Sequence, residues 1–428
     1  MLGQILEFLH RSWATPAIRK KILITAAILF VYRLVAHIPA AGIDRTSLQA
    51  LFFGSPLLSL LDVFSGGTLA NFSVLALGLA PYINASIVMQ LMTYVVPKFE
   101  ELSKEGELGQ EKINQYTRFL TVPLAIFQSF GIYTLLRSQG IIPGLDTLSV
   151  IALVATMLGG TMLAVWMGEL ITEFGIGNGV SFLILAGIVA RLPVSLGRTV
   201  TTFQADNLLS TGIFLVFAAV IIGLIVYVNE ATRQIPIKYA RQSRRMSPQM
   251  SGAYIPLRVN QAGVIPIIFA VSLVLMPSMI AQFLSGMQNP QLVLISRRLT
   301  QLFNPQSITY NLFYFLLVCG FTYFYTSIVF NPEKISENLQ KGGGFIPGIR
   351  PGSATIKYLN FVLNRVTLVG AVFLGLIAIL PSIASGFFGL QNLVIGGTGI
   401  LIVVSVILET TRDMESQLIM KKYDNLLR

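Results

Sequence analysis

Polar and apolar positions in this chain separate into long blocks. Ten apolar runs stand out: Ile22–Ile38, Phe72–Val96, Phe119–Leu136, Val150–Ile171, Val180–Pro193, Gly212–Val228, Gly263–Leu284, Tyr310–Phe330, Leu359–Leu380 and Leu393–Thr410. About 20 mostly apolar residues are needed to carry a helix across ~30 Å of hydrocarbon. Most of the runs reach or approach that length, and the fifth is short. Ile22–Ile38 follows a basic stretch, as a signal peptide does. It is longer than a usual signal core and nine further runs follow it, so it reads as a retained first helix. The pattern predicts an all-α integral membrane protein of ten transmembrane helices.

Composition supports that reading. Of the 428 residues, 54% are hydrophobic and 11% charged, where a soluble domain carries about 25% charged residues. The net charge is +11, and its placement carries information. If ten spans alternate, 23 of the 30 basic residues fall on the side that also holds both termini. Six lie opposite (Arg45, Arg137, Arg191, Arg198, Arg297, Arg298), and Arg33 lies within the first span. Basic loops stay in the cytoplasm, so both termini are expected there. Ten spans can divide into two halves of inverted topology, a plan found in membrane transport proteins. The expected organisation is a cytoplasmic segment 1–21 and a first half 22–200. A second half 201–411 follows, with basic loops at 229–262 and 331–358, and then a tail 412–428.

Candidate chemistry is sparse. Cys319 is the single cysteine, and the histidines, His10 and His37, are far apart. No metal or cofactor is expected. No lysine follows a glycine anywhere, so a Walker A loop is absent. Glu169, Glu230 and Glu409 fall near span ends, whereas an ion-coupled transporter more often buries a carboxylate near the midplane. Gly175-Ile176-Gly177-Asn178-Gly179 lacks the last glycine of a dinucleotide fingerprint and follows no strand. It reads as a tight turn with Asn178 near a helix start.

Four segments invite a functional reading. Leu57–Phe72 (L-L-S-L-L-D-V-F-S-G-G-T-L-A-N-F) is too short to span. It reads either as an interfacial helix or as a re-entrant plug, since irregular backbone reaches membrane depth only where protein or a cavity surrounds it. In the second span, Leu79, Ile83, Ser86, Gln90 and Thr93 recur at helical spacing. That face suits either interhelical hydrogen bonding or a water-filled path. The two long basic loops exceed what a connection requires. One holds Arg241, Arg244 and Arg245. In the other, Pro347-Gly348-Ile349-Arg350-Pro351-Gly352 restricts the backbone around Arg350, which suits presentation of one side chain to a partner.

Several of these motifs resemble the SecY family of protein-conducting channels. They are Asp62–Ala85, Gly175–Val189, Asn260–Ile268 (N-Q-A-G-V-I-P-I-I) and Phe330–Gly352, which ends F-I-P-G-I-R-P-G. Lys104–Arg118 is similar to the family's loop after span two. The resemblance extends from about residue 16 to about residue 412 and implies a clamshell of two five-helix halves around a central pore. It implies a pore ring of Leu79, Ile83, Val180, Ile184, Ile268 and Ile402, where Leu79 and Val180 stand at places often held by isoleucine. A plug over 57–72 is implied, centred on Leu60, Leu61, Asp62, Val63, Phe64, Ser65, Gly66 and Gly67. So is a lateral gate near Ser86, Gln90 and Gln128, and a docking surface of Arg241, Arg244, Arg245 and Arg350 for the SecA motor or the ribosome. Other implied partners are the small subunits SecE and SecG, signal peptides, nascent chains and lipid. The expected location is a plasma membrane or a thylakoid membrane. The chain would itself be no enzyme. An ion-coupled transporter of small solutes is the alternative, and a structural scaffold a more remote one.

Overall fold

The computed structural model describes residues 7, 10, 12–40, 62, 65, 67–69, 71–138, 146–201, 208–239, 253–285, 289–304, 307–388 and 397–427. Each of the ten apolar runs overlaps a helix. These helices are α1 (Pro16–Val35), α2 (Ala80–Val95), α4 (Glu107–Ser138), α5 (Thr147–Phe174), α6 (Gly179–Thr201), α7 (Leu208–Glu230), α8 (Ile265–Ser285), α10 (Ile308–Val329), α12 (Ser353–Phe388) and α13 (Gly397–Leu427). Shorter helices α3 (Pro97–Lys104), α9 (Pro290–Leu302) and α11 (Pro332–Lys341) lie in the connections. Among the described residues, four helical stretches are long and apolar enough by themselves to cross a membrane: Glu107–Arg137, Thr147–Phe174, Ile308–Lys341 and Ser353–Leu380. Gly179–Ala190, Ala219–Glu230 and Ile265–Ser278 are shorter apolar helices.

Local chemistry explains where several helices begin. Proline occupies the first turn of α1, α2, α3, α9 and α11, where its missing N–H costs no hydrogen bond. Asn331 caps α11 by accepting from Glu333 N and Lys334 N, both at 3.1 Å. Asn178 caps α6, since its Oδ1 accepts from Ser181 N at 3.1 Å. The tight turn read at 175–179 is therefore present.

Two expectations need correction. The all-α reading omits a three-stranded antiparallel sheet of order β2-β1-β3, formed by β1 (Thr232–Tyr239), β2 (Ala253–Arg258) and β3 (Gly344–Phe345). Ile235 and Ile237 alternate into a buried face while the charged residues of β1 stay outside, which is the pattern of a half-buried strand. The second run also starts late as a helix. The described residues of 67–79 form turns, and α2 begins at Ala80. Backbone pairing with the chain leaving α1 replaces helical hydrogen bonds there: Val74 N donates to Ile38 O at 3.0 Å and Ala40 N to Phe72 O at 2.8 Å.

Two seams join the helices of the first half (α1, α2, α4, α5, α6) to those of the second (α7, α8, α10, α12, α13). In one, α8 packs on α2 and α4; in the other, α13 packs on α6 and α1. The largest apolar cluster draws on both halves. A second surrounds Phe72, Leu136 and Met157, and a third lies under the sheet.

Candidate functional site

The six residues of the implied ring come from four helices and converge on the largest cluster. Leu79 sits at the N-cap of α2 and Ile83 one turn further on. Ile184 lies on α6, Ile268 in the first turn of α8 and Ile402 on α13. These five are buried in the one cluster, Ile402 completely, and half-buried Val180 packs against it. Their side chains offer no hydrogen-bonding group.

Beside this cluster the chain between α1 and α2 is held by its own polar side chains. Ser65 Oγ donates to Asp62 O at 3.0 Å and accepts from Leu69 N at 3.2 Å. The Thr68 hydroxyl lies 2.6 Å from Ser65 O and 2.7 Å from Leu75 O. Gly67 N donates to Asp62 O at 2.8 Å. The side chains of Asp62, Ser65 and Thr68 are buried inside the protein. At Gly160 of α5 a Cβ would lie 1.9 Å from Val74 O, so α5 and the chain entering α2 approach in backbone contact. Of the residues implied for the plug, Leu60, Leu61, Val63, Phe64 and Gly66 lie outside the described residues.

Where α2 and α4 meet α8, the seam carries polar groups in an apolar setting. Gln90 Nε2 lies 3.5 Å from Ser86 Oγ. Buried Gln128 lies on α4. Among the described residues the buried Oε1 atoms of Gln90 and Gln128 meet no hydrogen-bond donor. A buried acceptor left without a partner costs about 1–3 kcal/mol, so these positions favour a water or a polar group beside them. Further along, the Tyr94 and Phe324 rings, 4.9 Å apart, bridge α2 and α10.

The sheet forms a platform at the ends of α7, α8, α10 and α12. Ile346 and Ile349 of the β3–α12 loop are anchored in the cluster beneath it. Gly348 and Gly352 adopt φ of +80° and +98°, a backbone conformation that a side chain opposes. Between them Arg350 is exposed; its carbonyl accepts from Thr355 Oγ1 at 3.0 Å, and among the described residues its guanidinium meets no carboxylate. By contrast, the Lys104 ammonium lies 2.6 Å from Glu100 Oε1, and that hydrogen bond raises its pKa. Arg241, Arg244 and Arg245 lie outside the described residues. Ion pairs also join neighbouring helices: Arg118 Nε with Glu169 Oε1 at 2.6 Å and Arg412 Nη2 with Glu230 Oε1 at 2.7 Å. Each pair joins residues that the charge pattern assigns to one face. Among the described residues no group of three or more His, Cys, Asp or Glu side chains could hold a metal ion.

The model of the SecY family matches residues 73–411. The chain belongs to the SecY family. SecY protein translocase subunits resemble it over nearly their whole length. That of Streptomyces scabiei is 42% identical over 435 residues, covering 98% of this chain and 99% of the relative. That of Mycobacterium tuberculosis is 42% identical over 443 residues, covering 97% and 98%. Among solved structures, one described as a protein-conducting channel superposes with a TM-score of 0.65 at 15% identity, covering 93% of this chain and 92% of that one. A SecY structure concerned with the plug domain gives 0.66 at 17% identity with the same coverage. Sec61 in a canine ribosome–channel complex gives 0.63 at 16%, again with the same coverage. These likenesses show that the fold is that of the SecY and Sec61 channels, and membership makes the chain a multi-pass membrane protein.

Three features of this SecY-family chain escaped the sequence reading. The sheet joining the two basic loops was legible in the Ile235/Ile237 alternation, but charge on both sides pointed to a loop. Thr68, which closes the turn before α2, gives no periodic signal. The Tyr94–Phe324 contact joins residues that only the folded chain brings together.

Proposed function

We propose that this chain is the channel-forming subunit of a protein translocase, passing signal-bearing unfolded polypeptides across a membrane and releasing apolar segments sideways into lipid. One observation carries the pore assignment: apolar side chains from α2, α6, α8 and α13, in both halves, meet in one buried cluster. An apolar constriction offers no ligand to a dehydrated ion, and it closes by dewetting. It also binds no passing side chain strongly. The ring is Leu79, Ile83, Val180, Ile184, Ile268 and Ile402. The plug is residues 57–72, the chain's second seal. The lateral gate is the seam of α2 and α4 against α8 and α10, with Ser86, Gln90 and Gln128 along it. A segment entering the gate partitions into lipid at the transfer free energies of its side chains.

In this reading ten helices span the membrane as two five-helix halves hinged between α6 and α7, with both termini in the cytoplasm. The membrane is a plasma membrane or a thylakoid membrane. SecE and SecG are the small partner subunits. The SecA ATPase, or a ribosome through its rRNA and exit-site proteins, docks on the sheet platform at Arg350 and on Arg241, Arg244 and Arg245. A guanidinium grips carboxylate or phosphate with two parallel hydrogen bonds. The chain carries out no catalysis and takes its energy from these partners. The relatives are named as translocase subunits and lend no support to a small-solute transporter.

Reconstitution with SecE, SecG, SecA, ATP and a signal-bearing precursor tests the proposal. Precursor should become protease-protected inside the vesicles only with ATP and an intact signal. Solute uptake by the chain alone, without precursor transport, would overturn it.

A further inference from the structure

The linker between β2 and α8 is short, and a buried polar cluster controls its course. Asn260 is 5% exposed, Asn229 at the end of α7 is 6% and Ser405 on α13 is 5%. Asn260 Nδ2 donates to Asn229 Oδ1 at 2.8 Å and to Gly263 O at 3.1 Å. Asn229 Nδ2 donates to Ser405 Oγ at 3.3 Å. Arg412 Nη2, two turns beyond Ser405, donates to Asn229 O at 2.7 Å. Val259 N donates to Ala231 O at 3.0 Å. The amide pair therefore ties three separate pieces of chain: the end of α7, the entry to α8 and the side of α13. Packing alone could hold apolar helices at several neighbouring heights. Directional hydrogen bonds in a dry interior select one, because each alternative breaks the bond between the Asn260 and Asn229 amides.

The position of the cluster makes it functional. Ile402 lies three residues before Ser405, one helical turn away on the same face. Ile268 lies in the first turn of the helix that Asn260 introduces. Sliding α8 against α13 would move these two ring side chains apart. We infer that Asn260, with Asn229 and Ser405, is a positioning latch that fixes α8 against α7 and α13 and so holds Ile268 level with Ile402 in the closed ring. The inference rests on the ring assignment proposed above. It adds residues that are not themselves members of the ring.

The test uses the full chain with SecE and SecG in planar bilayers, comparing Asn260→Ala, Ser405→Ala, Ile402→Asn and Met157→Ala at equal inserted amounts. Asn260→Ala leaves Asn229 Oδ1 without its donor. It should raise resting ion conductance per channel by about tenfold or more, and should pass precursors with defective signals. Ser405→Ala, which removes one longer bond, should give a smaller rise. The double variant Asn229→Ala with Asn260→Ala should leak no more than the worse single one, because both belong to one device. Met157→Ala removes core packing far from the latch, in the cluster that holds Phe72, and serves as the control for general destabilisation; its conductance should stay well below that of Asn260→Ala. If Asn260→Ala fails to insert, Ser405→Ala decides. Wild-type conductance in the inserted latch variants, or an equal rise in Met157→Ala, overturns the latch. A silent Ile402→Asn would instead overturn the ring assignment, so the two failures are distinguishable.

Discussion

Ile402→Asn is the most direct probe of the seal. Ile402 is completely buried in the cluster shared by both halves. Burying an isoleucine side chain is worth ~1.5–3 kcal/mol, and the closed state loses most of that on substitution. The new amide, buried without a partner, costs a further ~1–3 kcal/mol in the closed ring. In a hydrated open pore the amide meets water and the penalty disappears. Part of the first contribution is recovered by local repacking, so the substitution biases the equilibrium toward opening by about 2–4 kcal/mol, or roughly 30- to 700-fold. Resting conductance should be read from purified channels in planar bilayers, with no motor and no precursor present. Precursors with impaired signals should be tested alongside, since a weakened closed state asks less of the signal. Wild-type conductance together with undiminished rejection of defective signals, at normal channel content, would refute the assignment of Ile402 to the seal.

Other outcomes follow from the same geometry. Deleting Leu57–Gly67 should leave an inserted, folded channel with raised transient conductance; loss of insertion would make the segment a structural element. Arg350→Glu should abolish motor-driven precursor transport while SecE and SecG still bind, and Arg350→Lys should also be defective because charge survives but the donor fork does not. Transport at the wild-type rate in Arg350→Glu would remove that residue from the docking surface. Gly160→Ala should destabilise the folded chain by about 1–3 kcal/mol, as overpacking does, since its Cβ would strike Val74 O; an unshifted thermal transition in detergent would contradict the close contact.

The parts of this molecule that obey a single period were legible in the sequence. Each apolar run overlaps a helix because lipid and protein interior reward the same residues. The start of α2 was not legible. Residues 72–79 are as apolar as a span, yet Val74 N donates to Ile38 O and Ala40 N to Phe72 O across the gap between α1 and α2, a tertiary preference that hydropathy does not register. Strand β1 hid for the opposite reason, because Arg233 and Lys238 mask two inward isoleucines. Helical spacing picks out Leu79 and Ile83, but a pore ring and an ordinary core use the same side chains. The resemblance alone points to a ring that also takes in Ile184, Ile268 and Ile402, and the folded chain brings all five into one buried cluster. Asn229 and Asn260 illustrate the remaining limit, since two amides that share a hydrogen bond stand 31 positions apart in the chain.

The sheet at the ends of the helices has a mechanical consequence. Strand β1 pairs with β2 on one edge and with β3 on the other, so two loops distant in sequence form a single plate. From β2 the chain runs within a few residues into α8, and from β3 it runs into the turn that carries Arg350. A load applied at Arg350 is thus delivered across about 4.8 Å of strand spacing per step, not along the contour of the chain, and it arrives at the root of α8. If α8 forms one side of the gate as proposed, the plate is the lever through which a docked partner would reach it.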